Sequence, residues 1–331
     1  MNVLVTGCEG FLGINLAMRL RRDGHFVVSI DNHSTSDEVA WRLACEDEPK
    51  LSDVERITLD VGSWNDPPPQ FTRLLPIKNH PPDLIFHAAS PASPKRYAMM
   101  PLATLGANIL GTQRLLEQFK CPVVLFGSSE VYGEPLDHPQ SEWLKAHINP
   151  RGPRVSYEAG KLAMEAIAEC YSNAWTVRIH NSYGPFLHPD DGRVVSTFIC
   201  AALQSKPLPI QGGSQTRTFC YVDDLIDGLV KYARLAGRHA RTAGANELVP
   251  RIINLGSDQG ELTMKDLAIK IVTMQGDSVF GLSEWALPAD DPSRRRPDIT
   301  LAKKFLDWSP KIDLDDGLQR TFAYFKRRLA A

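Results

Sequence analysis

The sequence predicts an α/β fold of the Rossmann type: a doubly wound parallel sheet with a smaller C-terminal lobe interleaved with it. Three observations carry this expectation. A short apolar strand at 2–6 runs into a glycine turn (Gly7, Gly10 and Gly13) and on into a helical pattern at 11–22. A second apolar strand at 26–30 then ends at Asp31, completing a β-α-β unit. Beyond it, apolar segments at 55–59, 83–87, 122–127 and 175–180 read as strands, the later ones separated by helical patterns at about 99–119 and 156–172. Strands alternating with helices favour a parallel sheet covered on both faces.

Each element follows from local chemistry. The 2–6 segment is short, apolar and followed at once by Gly7, so it reads as a short buried strand. Residues 32–54 are polar and lack a clear period, so they read as loop with some helix. Pro67–Pro69 and Pro81–Pro82 punctuate loops. After about 181 the pattern becomes irregular, with turns at Gly184-Pro185, Pro207, Pro209 and Gly212-Gly213. A helix is expected at 222–236, a strand at 251–255 and a last helix at 316–329, with Leu318, Phe322, Phe325 and Leu329 on its core face. The expected division is 1–180 plus about 218–256 for a cofactor domain. About 181–217 plus 257–331 form a substrate lobe.

Composition sets the outer limits. A chain of 331 residues suggests about two domains, at roughly 100–200 residues each. With 43% hydrophobic and 23% charged residues it is neither disordered nor collagen-like. Lysine and arginine number 37 against 39 acidic residues, a net charge of −2, so no broad basic face for nucleic acid or membrane is expected. Six scattered cysteines without C-x-x-C spacing argue for a reducing compartment and against a metal site. No signal peptide and no run of 18 apolar residues is present, so the expected location is the cytoplasm.

The glycine turn points to a dinucleotide. A residue without Cβ permits the tight turn and close approach of backbone to a diphosphate, and the helix start offers free N–H groups to that anion. Phe11 and Leu12 carry such groups, between Gly10 and Gly13. Asp31, with Asn32 beside it, can accept bonds from ribose hydroxyls and would repel a 2′-phosphate, which favours NAD over NADP. Glu9 sits awkwardly inside the turn and is expected to point outward.

Tyr157 and Lys161 form Y-x-x-x-K on a predicted helix, one turn apart and on one face. A free tyrosine is a poor base at neutral pH, and a neighbouring ammonium favours its phenolate. Ser128 and Glu130 follow the 122–127 strand, where side chains past the carboxyl end face the ligand crevice. Together these residues suggest proton removal from a sugar hydroxyl, coupled to hydride transfer from the same carbon.

At this point the chain resembles the extended short-chain dehydrogenase/reductases that act on nucleotide sugars. The resemblance rests on the glycine turn, Asp60-Val61, His87-Ala88-Ala89, Ser128 with Tyr157 and Lys161, Tyr221-Val222-Asp223-Asp224-Leu225 and Trp308-Ser309-Pro310. Within that family it is most similar to the UDP-glucuronic acid decarboxylase branch. The segments that carry this include Ala89-Ser90-Pro91-Ala92-Ser93-Pro94, Ser129-Glu130-Val131-Tyr132-Gly133, Gly152-Pro153-Arg154, Gly213-Ser214-Gln215-Thr216-Arg217 and Asp290-Asp291-Pro292 with Arg295. The chain departs from that branch at Ser128, at Glu158-Ala159 and at Phe186, where an arginine is usual.

The resemblance implies an NAD-dependent enzyme. Asp60 and Val61 would border the adenine, His87, Ala88 and Ala89 would lie near the cofactor, and Lys161 would also hold the nicotinamide ribose. Pro91, Glu130, Asn181, Arg193, Val194, Arg217 and Arg295 become candidates for a UDP-sugar, with Arg295 facing its carboxylate. The implied reaction takes UDP-glucuronic acid to UDP-xylose by C4 oxidation, loss of CO₂, C5 protonation and C4 re-reduction. A homodimer is implied through the 99–119 and 156–172 helices. The alternatives are a 4,6-dehydratase, which typically carries Asp where this chain has Ser129, a 4-epimerase, a decarboxylase releasing the 4-keto pentose, or a non-catalytic NAD-sensing scaffold.

Overall fold

The computed structural model describes residues 1–63, 81–241, 249–276 and 281–331; the Pro67–Pro69 turn lies outside them. Seven strands form one parallel sheet: β1 (Asn2–Thr6), β2 (Phe26–Asp31), β3 (Glu55–Thr58), β4 (Leu84–His87), β5 (Val123–Ser128), β6 (Ala174–Ile179) and β11 (Ile252–Leu255). Their spatial order is β3-β2-β1-β4-β5-β6-β11, with the order reversing between β1 and β4. The strand period of two decides which core each side chain joins. Val3 and Val5 enter one core and Leu4 the other.

Helix α1 (Phe11–Arg22) starts directly after the glycine turn and buries Ile14, Ala17, Met18 and Leu20. It stops at Asp23-Gly24, where Gly24 takes a φ of 81°. The polar 32–54 stretch is more ordered than its pattern suggests. It contains helix α2 (Glu38–Asp47), capped by Asp37 on the Ala40 N–H, and a 3-10 turn at Pro49–Asp53. Ala40, Trp41, Leu43 and Ala44 make a short apolar face that the surrounding polar residues conceal in the sequence.

The expected single helix at 99–119 is broken. A helix at Pro94–Met99 ends where Met100 leaves helical geometry before Pro101. A second runs Pro101–Gly106, a π-turn follows at Ala107–Gly111, and Thr112–Gln118 completes the segment. Backbone crowding accompanies the π-turn: a Cβ on Gly62 would lie 2.8 Å from the Ala107 nitrogen. Helix Val155–Glu169 packs beside these segments.

Past β6 the described residues make three small sheets. These pair β7 (Ser182–Tyr183) with β10 (Cys220–Tyr221), and β8 (Leu208–Gln211) with β13 (Leu282–Trp285). The third sets β9 (Thr216–Arg217) between β12 (Leu262–Thr263) and β14 (Arg294–Arg295). Helix Val222–Arg241 runs further than expected and packs on α1. The last helix spans Leu314–Ala330 and buries Leu318, Tyr324 and Phe325, but Leu329 is exposed rather than on the core face. Among the described residues, no helix is long and apolar enough to cross a membrane.

Candidate active site

The carboxyl ends of β1, β2, β4, β5 and β6 open into one cleft of about 700 Å³. The reversal of strand order between β1 and β4 leaves that crevice uncovered, because successive connections depart to opposite faces. Every candidate residue named above lines the cleft except His87. His87 lies behind the wall instead, its Nδ1 2.7 Å from the Thr6 hydroxyl and its Nε2 3.3 Å from the Ala107 carbonyl. Burial lowers its pKa to about 3, so it is a neutral brace between β1, β4 and the π-turn.

At one end the glycine turn is tightly fixed. Gly7 takes a φ of 67°, and a Cβ on Gly13 would lie 2.1 Å from the Gly7 carbonyl. Gly10 differs: a Cβ there would meet only the Gly7 carbonyl, at 3.5 Å, and Gly10 lines the cleft. The N-cap of α1 is Gly10, which has no side chain with which to cap the first N–H groups. This open cradle at a helix start fits a dinucleotide diphosphate. Asp31 stands beside it, accepting from the Glu9 N–H at 3.0 Å and the His33 N–H at 2.9 Å. Burial raises its pKa against those two hydrogen bonds.

Glu9 does not point outward. It is 2% exposed, and Arg56 donates to both its carboxylate oxygens. Arg56 comes from edge strand β3, opposite Ser29 of β2, and crosses β2 to reach the turn. Nothing in the local sequence pairs residues 9 and 56; only the sheet order makes them neighbours.

At the centre, Tyr157 and Lys161 share one face of the Val155–Glu169 helix. The Tyr157 ring stacks on Tyr97, with centroids 4.9 Å apart and planes 12° from parallel. Burial pushes its phenol up, against a hydrogen bond with Ser128. Lys161 is 3% exposed, and its Nζ donates to the Phe126 carbonyl at 2.6 Å. Burial lowers its pKa to about 7. Ser128 ends β5 and accepts from the Glu130 N–H at 3.2 Å, starting the 3-10 turn Ser129–Tyr132 that aims Glu130 into the cleft.

The far end is a chain of alternating charges. Arg154 donates to both Glu130 oxygens, at 2.5 and 2.6 Å, and to Asp291 at 3.0 Å. Arg295 donates to Glu130 at 2.9 Å, and its buried Nη2 has no hydrogen-bond partner among the described residues. Burial works to raise the Glu130 pKa, but Arg295 and Arg154 outweigh it and hold the carboxyl at about 2. Glu158, also beside Arg154, shows the opposite balance: burial and the Glu130 charge raise it to about 7.

Arg217 is buried, donating to Thr216, Pro292 and Asp291. Arg193 pairs with Asp191 at 3.3 Å and lies 5.9 Å over the Phe11 ring. Asn181 donates to the Thr218 carbonyl at 3.1 Å. Phe186, with a φ of 70°, packs edge-on against Tyr324 at 5.2 Å, filling apolar space rather than presenting a charge. Sequence reasoning missed Arg154, Tyr97 and Asp291. Arg154 and Asp291 sit in segments it singled out, but nothing local distinguishes an arginine that grips Glu130 from one in solvent.

This arrangement can hold a dinucleotide at the turn, a reacting hydroxyl at Ser128 and Tyr157, and an anionic group at Arg295. The NAD dependent epimerase/dehydratase family model matches residues 3–256. UDP-glucuronic acid decarboxylase 1 of Xenopus tropicalis is 38% identical over 340 residues, covering 99% of this chain and 72% of the relative. UDP-glucuronic acid decarboxylase 3 of Arabidopsis thaliana is 35% identical over 339 residues, covering 99% of this chain and 90% of the relative. Among solved structures, UDP-glucuronic acid 4-epimerase from Bacillus cereus, in complex with UDP-glucuronic acid and NAD, matches with a TM-score of 0.80 and 26% identity. That match covers 99% of this chain and all of the other.

Proposed function

The chain belongs to the NAD dependent epimerase/dehydratase family, and from that premise we propose that it decarboxylates UDP-glucuronic acid to UDP-xylose through a 4-keto intermediate. The observation that carries this is the unpartnered, buried Arg295 Nη2 beside Glu130, in the same cleft as Ser128 and Tyr157. A neutral sugar has no use for a desolvated guanidinium there; a sugar carboxylate does.

NAD, when bound, supplies the acceptor for the C4 hydrogen and later returns it. The chain holds it with Gly7, Gly10, Gly13 and the α1 N–H groups at the diphosphate. Asp31 and Asn32 take the ribose, and Asp60, Val61, Ala88 and Ala89 flank the rest. Tyr157 takes the proton of the C4 hydroxyl, with Ser128 bonding the same oxygen. The resulting ketone is β to the C6 carboxylate, so loss of CO₂ leaves its electron pair delocalised from C5 into the C4 oxygen. Tyr157 and Ser128 hold that enolate oxygen. Glu130, kept ionised by Arg154 and Arg295, orients the sugar and a water chain that relays a proton from solvent to C5, and Tyr157 returns its proton to the C4 oxygen as that carbon is re-reduced. Arg193 and Arg217 line the path of the uridine diphosphate, with Pro91, Asn181 and Val194 completing the wall.

We assign 1–180 with about 218–256 to the cofactor domain and 181–217 with 257–331 to the substrate lobe. Met99, Leu102, Leu110 and Leu162 are exposed on the 94–118 and 155–169 helices, which supports a homodimer through that face. Six cysteines without a disulfide support a cytoplasmic setting.

The test is incubation of the full chain with UDP-glucuronic acid and no added cofactor, followed by mass spectrometry. Loss of CO₂ to a UDP-pentose is expected. The second reading is a UDP-glucuronic acid 4-epimerase, favoured by the B. cereus structure. It predicts an isomer of unchanged mass, and that product would overturn decarboxylation. Tyr157→Phe should retain NAD binding while losing activity at least ~100-fold.

A further inference from the structure

Glu9 is the residue whose position most departs from its expected role. Inside a turn that meets a diphosphate, a carboxylate is a liability unless something neutralises it. Here Arg56 does, with the His33 ring 3.2 Å from one carboxylate oxygen and the Ser29 hydroxyl donating to the other at 3.4 Å. The Arg56 Nε donates to Glu9 at 3.0 Å, its Nη1 to Glu38 at 3.1 Å, and its Nη2 to both Glu9 and Glu38. The guanidinium also stacks 4.9 Å over the Trp41 ring. Four of the five N–H donors of Arg56 are thereby committed to the two carboxylates.

This matters because of where the pair sits. The Glu9 backbone N–H donates to Asp31, so the carboxylate that faces the adenosine ribose and the residue that restrains Arg56 are joined through one residue. Glu9, Asp31 and Asp37 line that end of the cleft, whereas Arg56 does not. Two carboxylates, Glu9 and Glu38, grip the one guanidinium, and a third, Asp31, stands one hydrogen bond away on the Glu9 N–H, so the three carboxylates and Arg56 sum to −2. A ribose 2′-hydroxyl is at home beside Asp31. A 2′-phosphate would meet excess negative charge, with the Arg56 guanidinium held by Glu9 and Glu38 and the Arg328 guanidinium by Asp37.

We propose that Glu9 is a cofactor-specificity residue: by holding Arg56 closed, it denies a guanidinium to a phosphate on the adenosine ribose and so reinforces the choice of NAD over NADP. The inference rests on the reading that NAD fills this cleft. Asp31 sets the choice by direct contact, and Glu9 sets it one layer back, through Arg56.

The experiment is calorimetric titration of NAD⁺ and NADP⁺ into the full-length protein stripped of cofactor. Wild type should bind NAD⁺ and prefer it strongly. Glu9→Gln should raise the NADP⁺ to NAD⁺ affinity ratio by about tenfold, since it removes one charge and frees two donors. The double variant Glu9→Gln with Arg56→Gln should lose most of that gain. Glu38 is exposed, so Glu38→Gln should fold even if the Glu9 variant does not. It should raise the ratio in the same direction by about twofold. An unchanged ratio in Glu9→Gln, with only a lower melting temperature, would make the pair a structural clamp and overturn the proposal. A gain that survives loss of Arg56 would overturn it too, as would an unchanged ratio in Glu38→Gln if Glu9→Gln cannot be prepared. Failure of the wild type to bind NAD⁺ would instead refute the cofactor reading underneath.

Discussion

Replacing Lys161 by methionine should make the cofactor-free protein more stable near neutral pH while removing its activity. Lys161 is 3% exposed, and burial lowers its pKa from 10.5 to about 7. The unfolded chain therefore binds its proton more tightly than the folded one. Below about pH 7 both states carry the proton and the folded state bears the full cost of the buried ammonium. Between pH 7 and 10.5 the unfolded chain gives up its proton, so stability rises with pH and the cost fades. At pH 7.5 the cost is roughly 4 kcal/mol, from about three pK units at 1.36 kcal/mol each. Methionine removes it but leaves the Phe126 carbonyl, now 2.6 Å from Nζ, without its donor, a loss of about 2 kcal/mol. The net expectation is a gain of about 2 kcal/mol at pH 7.5 that falls to zero near pH 9 and reverses above it. Urea unfolding of both proteins, stripped of cofactor and measured from pH 6.5 to 10.5, reads this directly. A methionine variant that is less stable at pH 7.5, or a difference that does not change with pH, would refute the reasoning.

Three further outcomes follow from the same geometry. Gly13→Ala places a methyl group 2.1 Å from the Gly7 carbonyl and 2.6 Å from Cys8 backbone atoms. It should destabilise the protein by more than about 2 kcal/mol and abolish NAD binding measured by titration. Arg154→Gln leaves Glu130 with Arg295 alone, so the Glu130 pKa should rise from about 2 and the acid limb of the kcat profile should move toward neutrality. An acid limb in the same place would show that Arg154 does not position Glu130. Leu102, which is 81% exposed, should tolerate Glu in the fold, yet Leu102→Glu should turn a dimer into a 36.8 kDa monomer by light scattering.

Much of the sheet was legible because its signals are local. Val3 to Val5, the glycine turn and Asp31 lie within one β-α-β unit, and a short apolar run before a glycine turn has few other solutions. The same is true of Tyr157 and Lys161, which helical periodicity alone puts on one face. The 94–118 segment was less legible. Its apolar content reads as one helix, while the break at Met100 and the π-turn at 107–111 accompany Pro101 and the close approach of Gly62 from a distant loop. Helix 38–47 was legible only as some helix within a polar stretch, for the opposite reason: its buried face is only four residues wide.

The sequence by itself determined the fold class, the glycine turn, the carboxylate at the end of β2 and the shared helix face of Tyr157 and Lys161, because each depends on neighbours within a turn or a strand. Only the tertiary structure decided their electrostatic state. Glu130 is held ionised by Arg154 and Arg295, which are 24 and 165 residues away in the chain, while Glu9 is neutralised by Arg56 from an edge strand 47 residues on. His87 moved from the cofactor wall to a brace behind it for the same reason. Charge and burial are set by what the sheet order brings together, and a carboxylate's partner in space leaves no mark on the residues beside it in the chain.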